Sequence, residues 1–165
     1  MKESLSEVHL ADDQEAVSSV APWPAFTQGE EEERLDYFIE RNGERFAGTH
    51  LIIDLSGASK LDDLEVMEQA LRDSVDAAGA TLLHIHLHHF TPNGGISGVA
   101  VLAESHISVH TWPERNYAAF DVFMCGAAEP EKSIPVLENA FSPSRVNVDE
   151  ILRGKRRVED DDYVS

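Results

Sequence analysis

The apolar positions in the middle of the chain follow first the period of a strand and then that of a helix. Residues 50–55 (HLIIDL) form a short apolar run that is typical of a buried strand. A stripe spaced at three and four residues then predicts one face of a helix: Leu64, Met67, Leu71 and Val75. Asp62, with Glu65 three residues later, has the spacing of a capping box at the start of this helix, and Gly79 is a natural stop at its end.

The second half of the chain predicts several strands and one more helix. Four segments read as strands: 81–90, 99–102, 106–111 and 117–124. A helix is predicted over 130–141, with Pro135 unfavourable in its middle, and a last strand over 145–148. The order β-α-β-β-β-β-α-β predicts an α+β fold, a two-layer α/β sandwich in which helices cover one face of an antiparallel sheet.

Alternation along two of these strands predicts the character of the other face. Leu83, Ile85 and Leu87 would share one side of the first strand, opposite His84, His86, His88 and Phe90. In the second strand, Ile107 and Val109 would lie opposite His106, Ser108 and His110. A face rich in imidazole, hydroxyl and aromatic groups suits a ligand site or a subunit interface. The three histidines of the first strand could also face a metal ion, but their spacing is loose for metal ligands, and no metal site is predicted.

Composition excludes several classes of partner. The chain has 165 residues, 42% of them apolar, and a formal net charge of −18. This acidity argues against nucleic acid and against an anionic membrane surface. No apolar run approaches the ~20 residues of a membrane-spanning helix, and no secretory signal is visible at the N-terminus. Because Cys125 is the single cysteine, we expect a reducing, cytoplasmic setting.

The charge is distributed unevenly and suggests three regions. Residues 1–47 hold 12 acidic and 4 basic residues, including four consecutive glutamates at 30–33. We therefore expect residues 1–45 to be a flexible acidic extension, although Leu35, Tyr37, Phe38 and Ile39 could form a short docking helix. Residues 46–150 would form the folded domain, and 151–165 a frayed tail.

The candidate chemistry is concentrated between residues 95 and 126. This segment offers a set of reactive side chains: Ser97, Ser105, His110, Glu114 and Cys125. A serine near a histidine is a candidate nucleophile and base, whereas the alternative is ordinary strand hydroxyls and a buried thiol. The glycine patterns of α/β-hydrolases, P-loops and dinucleotide-binding folds are absent from the sequence.

Two sequence blocks, AESHISVHTWPE and YAAFDVFMCG, closely resemble the prokaryotic S-adenosylmethionine decarboxylase proenzyme family. The resemblance runs from about residue 50 to 148. It implies self-cleavage between Glu104 and Ser105, which converts Ser105 into a pyruvoyl cofactor that forms a Schiff base with the substrate. It also implies that His110 transfers protons during processing, that Ser97 supports the rearrangement, and that Cys125 is the proton donor in decarboxylation.

The same resemblance implies a small-molecule substrate and a cytoplasmic homodimer of cleaved protomers, with two α and two β chains. Phe90 would stack on adenine, Glu114 would hold the ribose hydroxyls, and Trp112 would lie nearby. The expected reaction converts S-adenosylmethionine to its decarboxylated form plus CO2, which supplies the aminopropyl donor for spermidine synthesis.

The chain departs from the family pattern after HLIID, where Leu55 and Ser56 replace the usual aromatic residue. Two other functions therefore stay open. One is a pyruvoyl-dependent ornithine or arginine decarboxylase, since Glu114 would serve a guanidinium or ammonium group as well as a ribose. The other is an unprocessed pseudoenzyme that regulates a partner.

Overall fold

The computed structural model describes residues 38–157, which contain nine strands and two α-helices. The strands are β1 (Ile39–Arg41), β2 (Glu44–Phe46), β3 (Gly48–Ser56), β4 (Leu82–His89), β5 (Ile96–Leu102), β6 (Ser105–Trp112), β7 (Tyr117–Met124), β8 (Arg145–Arg153) and β9 (Arg156–Arg157). The helices are α1 (Leu64–Ala78) and α2 (Ser133–Phe141). Two short 3-10 turns lie at Pro113–Arg115 and Pro130–Lys132.

Six of the strands form one sheet in the order β4-β5-β6-β7-β3-β8, and every neighbouring pair is antiparallel. The helices α1 and α2 share a hydrophobic core with one face of this sheet, to which Leu71, Phe120 and Phe141 contribute fully buried side chains. The predicted α+β sandwich is therefore confirmed, and β3 to β8 with the two helices follow the predicted order.

A second, three-stranded sheet with the order β1-β2-β9 was not predicted. Its strands at 39–46 and 156–157 lie partly outside the limits 46–150 expected from composition. Ile39 begins a strand here, not the docking helix considered above. The rest of the acidic extension, with Leu35 and Tyr37, and the end of the tail lie outside the described residues.

The ends of the two helices follow from local sequence. Asp63, one residue later than predicted, caps α1, and its Oδ1 accepts the amides of Glu65 and Val66 at 3.0 Å each. Leu64 is 39% exposed, so it does not belong to the buried stripe. Pro135 is the third residue of α2, where a missing amide hydrogen costs nothing because the first-turn amides have no partner within the helix.

A β-bulge in β4 corrects one predicted position. Leu82 pairs with Leu102 and His84 pairs with Val101, so Leu83 is an extra residue without a partner. Its side chain is 57% exposed, and Leu82 packs against the core in its place. The expectation that Leu83 shares the face of Ile85 and Leu87 is therefore wrong, because it assumed an uninterrupted pleat.

We call the side of the six-stranded sheet away from the helices the open face. Strand register arranges it in three rows that run across the sheet: His88, Ser97, His110, Ala119, Asp54 and Asn147; His86, Val99, Ser108, Asp121, Ile52 and Asp149; His84, Val101, His106, Phe123, His50 and Ile151. Ile107 and Val109 are fully buried on the opposite side. The predicted polar, histidine-rich face is thus present, and its side chains are exposed or half-buried.

Candidate active site

The peptide bond between Glu104 and Ser105 lies where the chain turns from β5 into β6. The Ser105 hydroxyl donates a hydrogen bond to the carbonyl oxygen of Glu104. The thiol of Cys125, just beyond the end of β7, donates to the same oxygen over 2.8 Å. Two donors on one carbonyl oxygen make its carbon more electrophilic and stabilise negative charge that develops on the oxygen.

The carboxylate of Glu104 is anchored by Thr81, which was not among the predicted site residues. Thr81 precedes β4, and its backbone amide and hydroxyl both donate to this carboxylate. We call the end of the sheet that carries Thr81, Glu104, Ser105 and Cys125 the Glu-Ser end. These contacts join residues 23 positions apart, so no local sequence signal could have found them.

The other predicted residues gather at the opposite end of the strands, around one cavity of about 310 Å³. We call this the pocket end, and all five of its predicted residues line the cavity: Phe90, Ser97, His110, Trp112 and Glu114. Ser97 and His110 are register partners on β5 and β6, and Ser97 Oγ lies 2.8 Å from His110 Nδ1. The pocket end therefore offers two aromatic faces, a carboxylate and a hydroxyl-imidazole pair.

The structure brings together the residues within each group but not the two groups. Ser105 is the first residue of β6, and His110 lies five positions along the same strand. At a rise of about 3.4 Å per residue, their backbones are roughly 17 Å apart. A proton transfer needs heavy atoms about 3 Å apart, so Ser105 and His110 of the same chain are too far apart to exchange a proton directly.

A hydrogen-bonded pair on the open face borders the pocket end and was also missed from sequence. The Tyr117 hydroxyl donates to Asp54 Oδ1 over 2.5 Å, and the Tyr117 ring lies 5.4 Å from that of Trp112. The hydrogen bond to Asp54, with partial burial and the charge of the carboxylate, raises the pKa of Tyr117 from 10.0 to about 12. Tyr117 is therefore a neutral donor at physiological pH. The only signal that could have pointed to Tyr117 was its cross-strand pairing with Trp112. That pairing could be known only from the register of β6 and β7.

His50 is one of two half-buried histidines of the open face, with His106. Its Nε2 lies 3.6 Å from Asp121 Oδ1 and makes no hydrogen bond, while Nδ1 lies 3.2 Å from an Arg153 nitrogen. Burial lowers the pKa of His50 below its ordinary 6.5, although Asp121 acts in the opposite direction. Among residues 38–157, no three His, Cys, Asp or Glu side chains are grouped so that they could hold a metal ion.

Comparison with known proteins shows that one family model spans the segments that carry both ends of the sheet. A family model described as S-adenosylmethionine decarboxylase matches residues 49–154. The chain belongs to this family. The resemblance carried by the Glu-Ser-His and His-Thr-Trp-Pro-Glu elements is thereby confirmed.

Individual members of the S-adenosylmethionine decarboxylase family match over most of their length. The S-adenosylmethionine decarboxylase proenzyme of Thermomicrobium roseum is 47% identical over 108 residues, which are 65% of this chain and 93% of that protein. The proenzyme of Methanococcus vannielii is 49% identical over 116 residues, 68% of this chain and 94% of that protein. The crystal structure of adenosylmethionine decarboxylase from Aquifex aeolicus matches with a TM-score of 0.60 and 34% identity, and the match covers 66% of this chain and 92% of that one.

No helix among the described residues is long and apolar enough to cross a membrane.

Proposed function

We propose that the chain is a self-processing, pyruvoyl-dependent S-adenosylmethionine decarboxylase that acts in the cytoplasm. The observation that carries this proposal is the pair of donors, from Ser105 and Cys125, on the carbonyl oxygen of Glu104. A hydroxyl that lies against the carbonyl of the preceding residue is suited to attack it. The single cysteine supports a reducing compartment.

Self-cleavage begins with an acyl shift within the chain. Ser105 Oγ bonds to the carbonyl carbon of Glu104, the carbon-nitrogen bond breaks, and the hydroxyl proton passes to the freed nitrogen. A base then takes the Cα proton of Ser105, and the ester bond breaks with the main-chain α-carboxylate of Glu104, the new C-terminus, as leaving group. Water replaces the nitrogen of the resulting dehydroalanine, ammonia leaves, and residue 105 ends as a pyruvoyl group. The Cys125 thiol, 2.8 Å from the Glu104 oxygen, supports the charge that develops there.

His110, the base that the resemblance implies for the second step, can act only from a second copy of the chain, because His110 of the same chain is roughly 17 Å away along β6. We propose a homodimer in which two open faces meet, with the pocket end of one protomer against the Glu-Ser end of the other. Exposed apolar groups on this face support the proposal: Val101 is 39% and Ile151 46% exposed. Ser97 would orient His110 through the 2.8 Å contact between them.

The pocket end supports recognition of an adenosyl group. Phe90 and Trp112 are 48% and 42% exposed and line the same cavity, so each offers a ring face to a flat base. Glu114 is on the cavity wall and would accept hydrogen bonds from ribose hydroxyls. When present, the pyruvoyl group supplies a carbonyl that binds the substrate amine as a Schiff base and withdraws electrons as CO2 leaves. Cys125 would return a proton to the substrate carbon, and the product would serve as aminopropyl donor in spermidine synthesis.

The test combines a cleavage assay with a substrate comparison. Purified protein should separate on a denaturing gel into chains of residues 1–104 and 105–165, and mass spectrometry should find the second one blocked by a pyruvoyl group. Ser105→Ala should remain a single chain. CO2 release from S-adenosylmethionine should greatly exceed release from ornithine or arginine. An uncut wild-type chain would contradict self-processing, and preference for either amino acid would contradict the substrate assignment.

A further inference from the structure

Thr81 makes three hydrogen bonds to the two residues that precede the scissile bond. Its backbone amide donates to Glu104 Oε2 over 2.8 Å, and its hydroxyl donates to Glu104 Oε1 over 3.1 Å. Its carbonyl oxygen accepts the amide of Ala103 over 3.0 Å. One residue at the start of β4 therefore holds both the backbone before Glu104 and the Glu104 side chain.

These bonds are what orients the Glu104 side chain. Among residues 38–155, no lysine, arginine or histidine forms an ion pair with its carboxylate. A carboxylate held through both oxygens by two donors of one residue has a defined direction, which a single contact does not give. The two hydrogen bonds from Thr81 therefore fix the Glu104 side chain without neutralising its charge.

The Thr81 bonds act at the turn, beyond the end of the ladder between β5 and β6. The ladder between β5 and β6 runs from Ser97 with His110 to Val101 with His106, and it does not pair Ala103 or Glu104. The rotation of the Glu104 carbonyl is otherwise set by the donors on the carbonyl oxygen, Ser105 and Cys125, and by the pairing of Ser105 with Met124. Attack by Ser105 depends on this rotation, because a misplacement of about 1 Å between reacting atoms can cost on the order of a hundredfold in rate.

We propose that Thr81 is a positioning residue for self-cleavage, which acts through the Glu104 carboxylate to hold the Glu104 carbonyl against the Ser105 hydroxyl. This inference rests on the proposed cleavage between Glu104 and Ser105. Thr81 takes no part in bond making, and its effect falls on the rate at which the uncut chain reacts.

The test is a pulse-chase measurement of cleavage in cell-free translation, with the two product chains separated on a gel. Thr81→Val keeps the shape and removes the hydroxyl donor, and it should slow first-order cleavage about tenfold, since a hydrogen bond to a charged acceptor contributes on that scale. Thr81→Ser keeps the donor and should cleave within about threefold of wild type. Glu104→Ala removes both side-chain bonds and should slow cleavage at least as much as Thr81→Val. Thr49→Val is the matched control, because no hydrogen bond from the Thr49 hydroxyl occurs within residues 38–155, and it should cleave at the wild-type rate.

A double-mutant cycle separates positioning from general destabilisation. In the Glu104→Ala background, Thr81→Val should have no further effect on the cleavage rate. An equal slowing in both backgrounds, or wild-type cleavage by Thr81→Val or by Glu104→Ala, would overturn the role of Thr81. A wild-type chain that never cleaves would instead refute the proposed function itself, so the two failures are distinct.

Folding is checked by thermal unfolding of each variant in the uncut Ser105→Ala background. If Thr81→Val does not fold, Thr81→Ala, which also removes the hydroxyl, replaces it in the cycle.

Discussion

Mixing two inactive subunits tests whether the candidate site is shared between protomers. Ser105 and His110 are roughly 17 Å apart within one chain, about five times the reach of a hydrogen bond. Ser105→Ala and His110→Ala chains should each remain uncut alone. In a mixed dimer, the His110→Ala chain still carries Ser105 and meets the intact His110 of its partner, so it should be cleaved.

The expected yield follows from random pairing. With equal amounts of the two chains, half of the His110→Ala chains sit in mixed dimers, so about half of them should be cut. Two affinity tags distinguish the chains on a gel after co-expression. A partner that carries both Ser105→Ala and His110→Ala is the matched control and should give no cleavage. The reasoning fails if the single-variant partner gives none either while wild type cleaves, or if the His110→Ala chain cleaves alone.

Three further outcomes follow from individual contacts. Cys125→Ala should slow self-cleavage about tenfold as well as turnover, since it removes one donor from the carbonyl of the cleaved bond; a cleavage time course at the wild-type rate would contradict this. Tyr117 titrates near pH 10 when unfolded and near pH 12 when folded beside Asp54, so stability should fall between these values as the unfolded phenol loses its proton first. Urea unfolding at pH 9 and pH 11 should show a smaller loss for Tyr117→Phe than for wild type, and equal losses would refute the assignment. Because the pKa of His50 is lowered in the folded state, the unfolded chain takes up a proton first, and the free energy of unfolding should fall as pH drops below 6.5. Denaturation between pH 7 and pH 5 should show a smaller loss for His50→Gln than for wild type.

The order of the secondary structure could be predicted because apolar periodicity reports burial directly. The positions that were wrong required information outside the pattern. Asp62 and Asp63 are adjacent and chemically equivalent caps, and only the backbone direction of the chain entering α1 selects Asp63. The bulge at Leu83 was invisible because a leucine in an alternating strand reads the same whether or not it is paired.

The candidate site also has residues that the sequence predicts and residues that only the structure reveals. Motifs predict the candidate reactive residues of β5 and β6 and the cysteine after β7, since these segments are contiguous in sequence. Thr81 and the Asp54–Tyr117 pair were missed because each depends on the register of strands far apart in the chain. The period-two histidines suggested metal chemistry from spacing alone, whereas the sheet disperses His84, His86 and His88 over three different rows. Residues at that period on a strand are about 7 Å apart, too far for all three to meet one ion without distortion.

The proposed dimer would account for an open face that is neither apolar nor highly charged. A two-fold axis through the middle row of this face would carry the pocket end of each protomer onto the Glu-Ser end of the other, and would create two identical sites at once. Such an interface must bury polar groups that each need a partner. Within one protomer the middle row already supplies some of them, since Ser108 donates to Asp121 over 2.9 Å and Asp121 faces His50. The histidines at the edge are exposed and are the groups that a second copy would satisfy in the proposed dimer, so processing would require association.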